Sequence, residues 1–204
     1  TTMKWSDFSP YVLPYVTGCP HPVMDQHVKL AAIDFFRRTL SYRQVLEPVV
    51  TEGTALVPLE APMDTQIIKI KSVTVGDSDF PLVEAAHGLE LSRTNPGREF
   101  AFTQDGRTLV VYPIQRSGLE VVADAAVAPS ITSSTLDDAQ AMQHMQDIAH
   151  GAVASIKRIP GQPFSDLAGS PVHQAMFEAR VSTVAAKHSR GVMAAKMRSF
   201  PKFL

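Results

Sequence analysis

The chain has 204 residues, of which 45% are hydrophobic and 19% are charged. This composition predicts one folded domain with a sizeable core and argues against a disordered chain. A formal net charge of -1 hides an asymmetry, because the sequence after Glu178 contains six lysines or arginines and no acidic residue. Cys19 is the only cysteine, so an internal disulfide and a cysteine-based metal cage within one chain are excluded, as suits a reducing compartment.

The first element in chain order is an aromatic segment with two prolines, residues 5–16, which predicts a short helical turn followed by an irregular apolar strap. Apolar residues then recur at i, i+3, i+4 and i+7 from Pro22 to about Arg43, which predicts an amphipathic helix that begins near the proline. No apolar run approaches the ~20 residues that span a bilayer, and residues 1–9 lack a signal-peptide pattern. We therefore expect a soluble protein that is not exported.

The middle of the chain has the pattern of β-strands. Residues 45–51, 55–59 and 65–75 are rich in β-branched side chains, and glycine or proline separates these runs. Another strand is expected at 119–127. A hairpin is predicted where two apolar runs flank Asp-Gly, because that pair tolerates the positive φ of a tight turn; its residues are Gln104, Asp105, Gly106 and Arg107. These signals predict a small antiparallel sheet of about 4 to 6 strands.

Two helices are predicted at the C-terminal end. Ser134 and Thr135 precede two acids in an approximate capping box, and apolar residues keep helical spacing over 136–159. Pro160 and Gly161 end this helix, and Pro171 opens the last one.

The predicted fold class is α+β. It consists of a helical bundle, made of the N-terminal helix and a C-terminal helical hairpin, with an inserted small antiparallel β-sheet domain. The predicted divisions are an N-terminal strap and helix at 1–44, a β-rich insert at 45–128, and the helical hairpin with a basic docking tail at 129–204.

No motif in the sequence predicts an active site. His144 and His150 share a predicted helix but are six residues apart, which turns their side chains about 240° from each other and prevents joint metal binding. The sequence lacks a Gly-x-Ser-x-Gly motif, a phosphate-binding glycine loop and a dinucleotide fingerprint. We expect no enzyme, cofactor or metal. Acid–base chemistry stays open as an alternative if acidic residues converge in space, namely Glu84, Glu90, Glu99 and Glu120.

The acid-free C-terminal segment allows three interpretations. It can be a solvated helix face, which is the usual role of a charge run. It can bind nucleic acid, although aromatic residues for stacking are sparse after Phe177. It can also dock to a negatively charged protein, with the terminal Phe200-Pro-Lys-Phe-Leu204 as an apolar plug beside the cations.

Several short motifs occur in a characteristic order along the chain. They are Pro14-Tyr-Val-Thr-Gly-Cys-Pro20, Ala31-Ala-Ile-Asp-Phe35, Ile148-Ala-His-Gly-Ala152, Ile159-Pro-Gly-Gln-Pro-Phe164-Ser-Asp166, and Phe177 on the final helix. In this order the chain resembles the head-to-tail adaptor proteins of tailed bacteriophages, also called connector or head-completion proteins. Phe164 stands where such sequences are expected to have tryptophan, and residues 53–124 match the family least.

The resemblance implies a structural virion protein without catalytic residues. Its expected partners are further copies of itself in a ring of about twelve, the portal protein, a tail or nozzle protein, and genomic DNA in the channel. Its expected location is the head–tail interface of the virion, after assembly in the host cytoplasm. Alternatives are another collar or tail-completion protein, or a DNA-binding regulator that uses the basic C-terminal helix.

Two sets of site residues follow from this expectation. The hairpin of Gln104, Asp105, Gly106 and Arg107 is a candidate contact with the tail or with a neighbouring copy. The candidate portal-docking residues lie in the basic tail and are Lys187, Arg190, Lys196, Arg198, Phe200, Lys202, Phe203 and Leu204.

Overall fold

The computed structural model describes residues 1–84, 99–103 and 106–192, with side chains described as far as His188. In these segments the chain forms four α-helices and ten β-strands, and the strands make three antiparallel sheets. The predicted helical bundle with a small inserted sheet is therefore wrong. The protein has an open, sheet-rich α+β fold.

The α-helices flank the strands in the sequence. They are α1, Ser9–Val12; α2, His21–Thr39; α3, Asp138–Lys157; and α4, Ser170–Val192. Two 3-10 turns, Trp5–Phe8 and Leu13–Tyr15, build the predicted N-terminal strap together with α1. Helix α2 ends before the predicted Arg43, because Leu40 turns the backbone into the left-handed region with a φ of 53°.

The start of α3 also differs from the prediction. Its N-cap is Asp137, whose carboxylate accepts hydrogen bonds from the backbone N–H groups of Ala139 and Gln140 at 3.1 and 3.2 Å. Thr135 lies in a short strand that pairs with the N-terminal strand Thr2–Lys4. The predicted capping box at Ser134 and Thr135 is therefore wrong, because the residues before the helix are already engaged in a sheet.

The strands have the following bounds. They are β1, Thr2–Lys4; β2, Arg43–Val45; β3, Val49–Val50; β4, Leu56–Pro58; β5, Thr65–Val75; β6, Ser78–Phe80; β7, Phe100–Thr103; β8, Thr108–Tyr112; β9, Glu120–Pro129; and β10, Thr135–Asp137.

Strand β9 is the centre of the largest sheet. It pairs along its length with β5 on one side and with β2 and β3 on the other, and β6 continues the sheet beyond β5. Residues 125–129 of β9 are all buried, and helix α2 packs against this strand. Helices α3 and α4 also pack on α2, so α2 is enclosed by the sheet and the two C-terminal helices.

This arrangement explains why the inserted-domain prediction fails. That prediction rests on the continuous run of strands in the sequence, which suggests a separate unit. The main hydrophobic cluster instead joins Phe36 of α2, Val127 of β9 and Ile148 of α3. A sheet whose central strand is buried needs a helical layer over it, and α2 provides that layer.

A second sheet, in the order β4-β8-β7, contains the predicted hairpin. Strands β7 and β8 pair antiparallel, with Thr103 opposite Leu109. Leu109 belongs to the main hydrophobic cluster, whereas Phe100, Phe102 and Val110 form a small cluster of their own. The hairpin is therefore confirmed, and one face of its sheet is attached to the main core.

Three helices meet at Gly151 of α3. A Cβ atom at this position would lie 2.7 Å from Cδ2 of Phe177 and 3.2 Å from Cβ of Ala31, which is closer than carbon atoms normally pack. The ring of Phe177 in turn contacts that of Phe35, with 6.1 Å between the centroids. Helices α2, α3 and α4 therefore approach this closely because Gly151 has no side chain.

Candidate docking surface

The structure places some of the predicted docking residues and does not describe the others. Lys187 is exposed on α4, and Arg190 belongs to the same helix, with its side chain outside the described part. Gly106 has a φ of 79°, which suits the predicted turn, and the backbone carbonyl of Arg107 accepts a hydrogen bond from Leu59. The remaining predicted site residues lie outside the described segments: Gln104, Asp105, Lys196, Arg198, Phe200, Lys202, Phe203 and Leu204.

A groove of about 550 Å³ lies beside the exposed end of α4. Its walls come from the end of α2, from β5, and from α4 next to Lys187. Its lining combines two kinds of side chain besides Thr39. We call the basic ones, namely Arg38, Lys69, Lys71 and His188, its rim, and the apolar ones, namely Leu40, Ile70, Leu82, Ala185 and Ala186, its floor. We refer to it as the cationic groove.

Two irregularities in β5 shape this wall. The pairing of β5 with β9 skips one residue between Ile67 and Lys69 and another between Ile70 and Ser72. Such bulges re-aim side chains along a strand. Ile70 is buried while Lys69 is exposed and Lys71 is half-buried, as expected where side chains alternate between the faces of a strand, so two lysines reach the groove beside an apolar floor.

The basic residues around the groove differ in their partners. Arg38 forms ion pairs with Asp34 and Glu178, and these carboxylates raise its pKa. Arg43 pairs with Asp124. By contrast, the residues described as lining the groove include no aspartate or glutamate. The acidic partners of Arg38 thus lie outside the described lining, and the rim itself presents only basic side chains.

The groove perturbs the titration of two of its residues. Burial lowers the pKa of Lys71, and the nearby Lys69 and Arg43 lower it further. Burial also lowers the pKa of His188, as do the nearby Lys187, His144, Lys71 and Arg43. Nearby positive charges contribute to lowering both pKa values. An anion bound in the groove would raise them again.

Sequence reasoning missed the lysines of β5. The bias after Glu178 points to α4 alone, because Lys69 and Lys71 are far from it in the sequence. The alternation of β5 does show two lysines in one strand, but no sequence signal shows that α4 lies beside them.

A second polar cluster joins the strap to α3 and α4. Nδ1 of His150 lies 3.0 Å from Nδ1 of His173, and the ring of Tyr15 contacts that of His173 edge-on at 4.8 Å. The 5.2 Å between the two imidazole centroids means that the Nδ1 atoms point towards each other. In a hydrogen bond of this kind the two nitrogens share one proton, and N–H groups on both would point at each other.

This histidine pair predicts a loss of stability in mild acid. Burial lowers the pKa of His173 from its ordinary 6.5, with His150 and Lys157 acting in the same direction and Asp166 against it. The unfolded chain then binds more protons, so the free energy of unfolding should fall as the pH drops below about 6.5. In His173→Gln this decrease should be smaller, as measured by urea denaturation between about pH 8 and pH 5. An unchanged pH slope in the variant would contradict the shared-proton interpretation.

A third cluster ties α3 to α4 through a buried carboxylate. One oxygen of Asp147 accepts a hydrogen bond from Nε of Arg180 at 2.8 Å, and the other lies 3.5 Å from Nδ1 of the buried His144. The second distance is too long for a good hydrogen bond and acts electrostatically. Burial raises the pKa of Asp147, but the contacts with His144 and Arg180 outweigh it, so the net pKa lies below 3.8. This cluster holds two helices together.

Cys19 is a further candidate for chemistry that the sequence offers. Cys19 is buried, and burial raises the pKa of its thiol, which disfavours the reactive thiolate. Within the described segments no three His, Cys, Asp or Glu side chains converge on a point where they could hold a metal ion. In the same segments no helix combines the length and apolar character needed to cross a membrane.

Comparison with family models and curated proteins does not assign a function to this surface. Neither a protein-family model nor a curated protein matches the chain.

Proposed function

We propose that the chain is a structural subunit of a ring that joins the portal vertex of a phage capsid to the tail and continues the DNA channel. The observation that carries this proposal is that most of the exposed large apolar side chains belong to two sets of elements, which we call the helical surface and the sheet surface. The helical surface contains Tyr11, Tyr15, Leu30, Met142, Val172 and Met176. The sheet surface contains Val45, Val50, Leu56, Ile114 and Leu119.

Two distinct apolar surfaces are what a ring subunit needs. A cyclic assembly of more than two copies joins one surface of each subunit to a different surface of the next. Among the described strands, β2 and β3 pair with β9 on one side only, and their exposed Val45 and Val50 lie along that edge. An apolar sheet edge promotes association unless it is covered, and a neighbouring subunit can cover it.

The helical surface has the composition of a contact between subunits. On the outer face of α4, Val172 and Met176 are 55% and 46% exposed, and the small Ala175 and Ala179 lie beside them. On the strap, Tyr11 and Tyr15 are also exposed. Tyrosine and methionine are enriched in protein interfaces, and small residues allow close approach of another backbone.

The ring proposal predicts a defined result for two double variants. Val172→Glu with Met176→Glu should disable the helical surface, and Val45→Glu with Val50→Glu should disable the sheet surface. Each should abolish rings and leave folded monomers, because a buried unpaired carboxylate opposes association. A mixture should form a dimer, since one intact surface of each kind remains. Mass measurement and electron microscopy, alone and with a candidate portal protein, should show rings of about twelve copies for the unchanged chain.

The control for this experiment is Met63→Glu with Ile131→Glu, which changes two exposed apolar residues outside both surfaces. This variant should assemble normally. A monomeric unchanged chain, alone and with portal protein, would overturn the ring proposal. A small dimer that grips duplex DNA with a strong salt dependence would support the DNA-binding regulator instead.

The C-terminal residues stay the proposed portal-docking element. Deletion of residues 199–204 removes the apolar Phe200, Phe203 and Leu204 and should leave the ring intact while preventing its stable attachment to portal. If the shortened chain still attached to the portal protein as firmly in the same microscopy assay, this part of the proposal would be contradicted.

A further inference from the structure

The cationic groove combines a basic rim with an apolar floor. Its rim brings basic residues from three elements together, with Lys69 and Lys71 of β5 facing the end of α4. Its floor is apolar, with Ile70 and Ala185 among its residues. A volume of about 550 Å³ is within the range of sites that enclose a ligand or a group of side chains. An occupant must therefore offer negative charge and apolar surface at once.

The charge of the rim calls for carboxylates or phosphates. Arg38 and Arg43 already have carboxylate partners outside the groove lining. The burial of Lys71 and His188 beside other basic groups disfavours their charged forms. A carboxylate or phosphate between them would favour their charged forms, so binding of the anion and protonation of these groups should be coupled.

The apolar floor of the groove favours a protein over a nucleic acid as the occupant. A single nucleic-acid strand binds by stacking its bases on aromatic side chains, and none of the residues described as lining the groove is phenylalanine, tyrosine or tryptophan. A phosphate backbone would bring no apolar surface to Leu40, Leu82 and Ala185, which are only partly buried in the groove lining. An amphipathic peptide can place aliphatic side chains on the floor and carboxylates at the rim.

We propose that the cationic groove binds an acidic amphipathic segment of a protein partner, with glutamate or aspartate at Lys69, Lys71 and His188 and aliphatic side chains on the floor between α2, β5 and α4. This binding does not require ring formation. It can therefore be tested on the isolated full-length subunit, where failure of the ring proposal and failure of the groove proposal are separate results.

The test uses a synthetic peptide of about 14 residues, roughly four helical turns, with leucine on one face and glutamate on the other. Calorimetry should detect binding to the full chain. Lys69→Glu with Lys71→Glu should weaken binding at least about tenfold, because attraction at the rim becomes repulsion. Ala185→Glu should also weaken it, since its carboxylate would occupy the floor and pair with the lysines.

Matched controls separate groove binding from general charge attraction. Lys4→Glu with Arg116→Glu changes net charge by the same amount at exposed residues outside the groove lining and should leave affinity within about twofold. The same peptide with lysine in place of glutamate should not bind. Equal loss in both double variants, or absence of binding by the acidic peptide, would overturn the proposal. Binding of a DNA oligonucleotide that Lys69→Glu with Lys71→Glu abolishes, without peptide binding, would assign the groove to nucleic acid.

The pH dependence of peptide affinity provides a second measurement, because peptide binding should favour protonation of His188. Lysines with a purely structural role would not produce this pH dependence. The groups around His188 are Lys187 on its own helix, His144 of α3, Lys71 of β5 and Arg43 of β2. Lys187, Lys71 and Arg43 are cations, so a bound carboxylate should favour the protonated imidazole of His188. Peptide affinity should rise severalfold from about pH 8 to about pH 6, and His188→Ala should remove most of that rise. A pH-independent affinity in the unchanged chain would contradict the proposed contact.

Discussion

Gly151→Leu should lower the free energy of unfolding by about 3 kcal/mol. Even the first added carbon would lie 2.7 Å from the ring of Phe177, and the rest of the side chain has to enter the junction of α2, α3 and α4. Glycine is a poor helix former, so part of this cost is offset by about 1 kcal/mol of improved helix propensity. The loss remains large because the neighbouring atoms belong to buried side chains of two other helices, Phe177 and Ala31. Urea denaturation followed by circular dichroism measures it.

Two further variants make this prediction specific. Ala139→Leu adds similar bulk at an exposed position of the same helix and should change stability by no more than about 0.5 kcal/mol. Phe177→Ala removes the ring that the new side chain would meet. The double variant Gly151→Leu with Phe177→Ala should lose less than the sum of the single losses, because the leucine fills the vacated space. Simple additivity would show that the close approach at Gly151 does not limit the packing.

Asp147→Ala should cost about 2–3 kcal/mol at neutral pH. The carboxylate is nearly buried, accepts a hydrogen bond from Arg180, and provides the nearest negative charge to the buried His144. Its removal breaks the tie between α3 and α4. The folded pKa of Asp147 is depressed below 3.8, so its stabilising effect is complete above that pH and decreases as the pH falls through the folded value.

The pH dependence and a matched pair provide the controls. The difference between the unchanged chain and Asp147→Ala should shrink in urea denaturation as the pH falls from about 4 through the depressed folded pKa of Asp147, below which the unchanged carboxyl is also neutral. Asp34 forms an exposed ion pair with Arg38 at 3.2 Å, so Asp34→Ala should cost no more than about 1 kcal/mol. If both substitutions cost the same, burial is not the source of the effect.

The local elements were predictable where the sequence pattern has one physical cause. Strand β5 runs from Thr65 to Val75 as the β-branched residues indicate, and α2 begins one residue before the predicted Pro22. The start of α3 was not predictable in detail. Asp137 became the cap because the residues before it pair with the N-terminal strand, and that pairing joins segments more than a hundred residues apart.

The fold class was not predictable from the same patterns. Alternation and turn signals show that a segment forms strands, but they do not show which layer covers them. Ala125 to Pro129 of β9 are buried under α2, and their small, apolar composition fits a covered sheet as well as a separate small domain. The sheets were therefore assigned to an insert, although they share the main core with Phe36 and Ile148.

The candidate site shows the same division. The sequence directs attention to α4, because its later half has cations and no acid, and Lys187 is exposed there. It could not show the lysines of β5 beside that helix. Lys69 and Lys71 reach the groove while Ile70 remains in the core, and only the packing of distant segments places α4 beside that face of β5.

By itself the sequence determined the local conformations, the charge asymmetry of the last helix and the absence of recognised catalytic motifs. Propensity, periodicity and composition act over a few residues, so a single chain segment is enough to decide them. Only the tertiary structure decided that α2 closes the sheet, that Gly151 meets Phe177, and that His150 meets His173. Each of these depends on packing between segments distant in sequence, where the burial of apolar surface selects one arrangement for the whole chain.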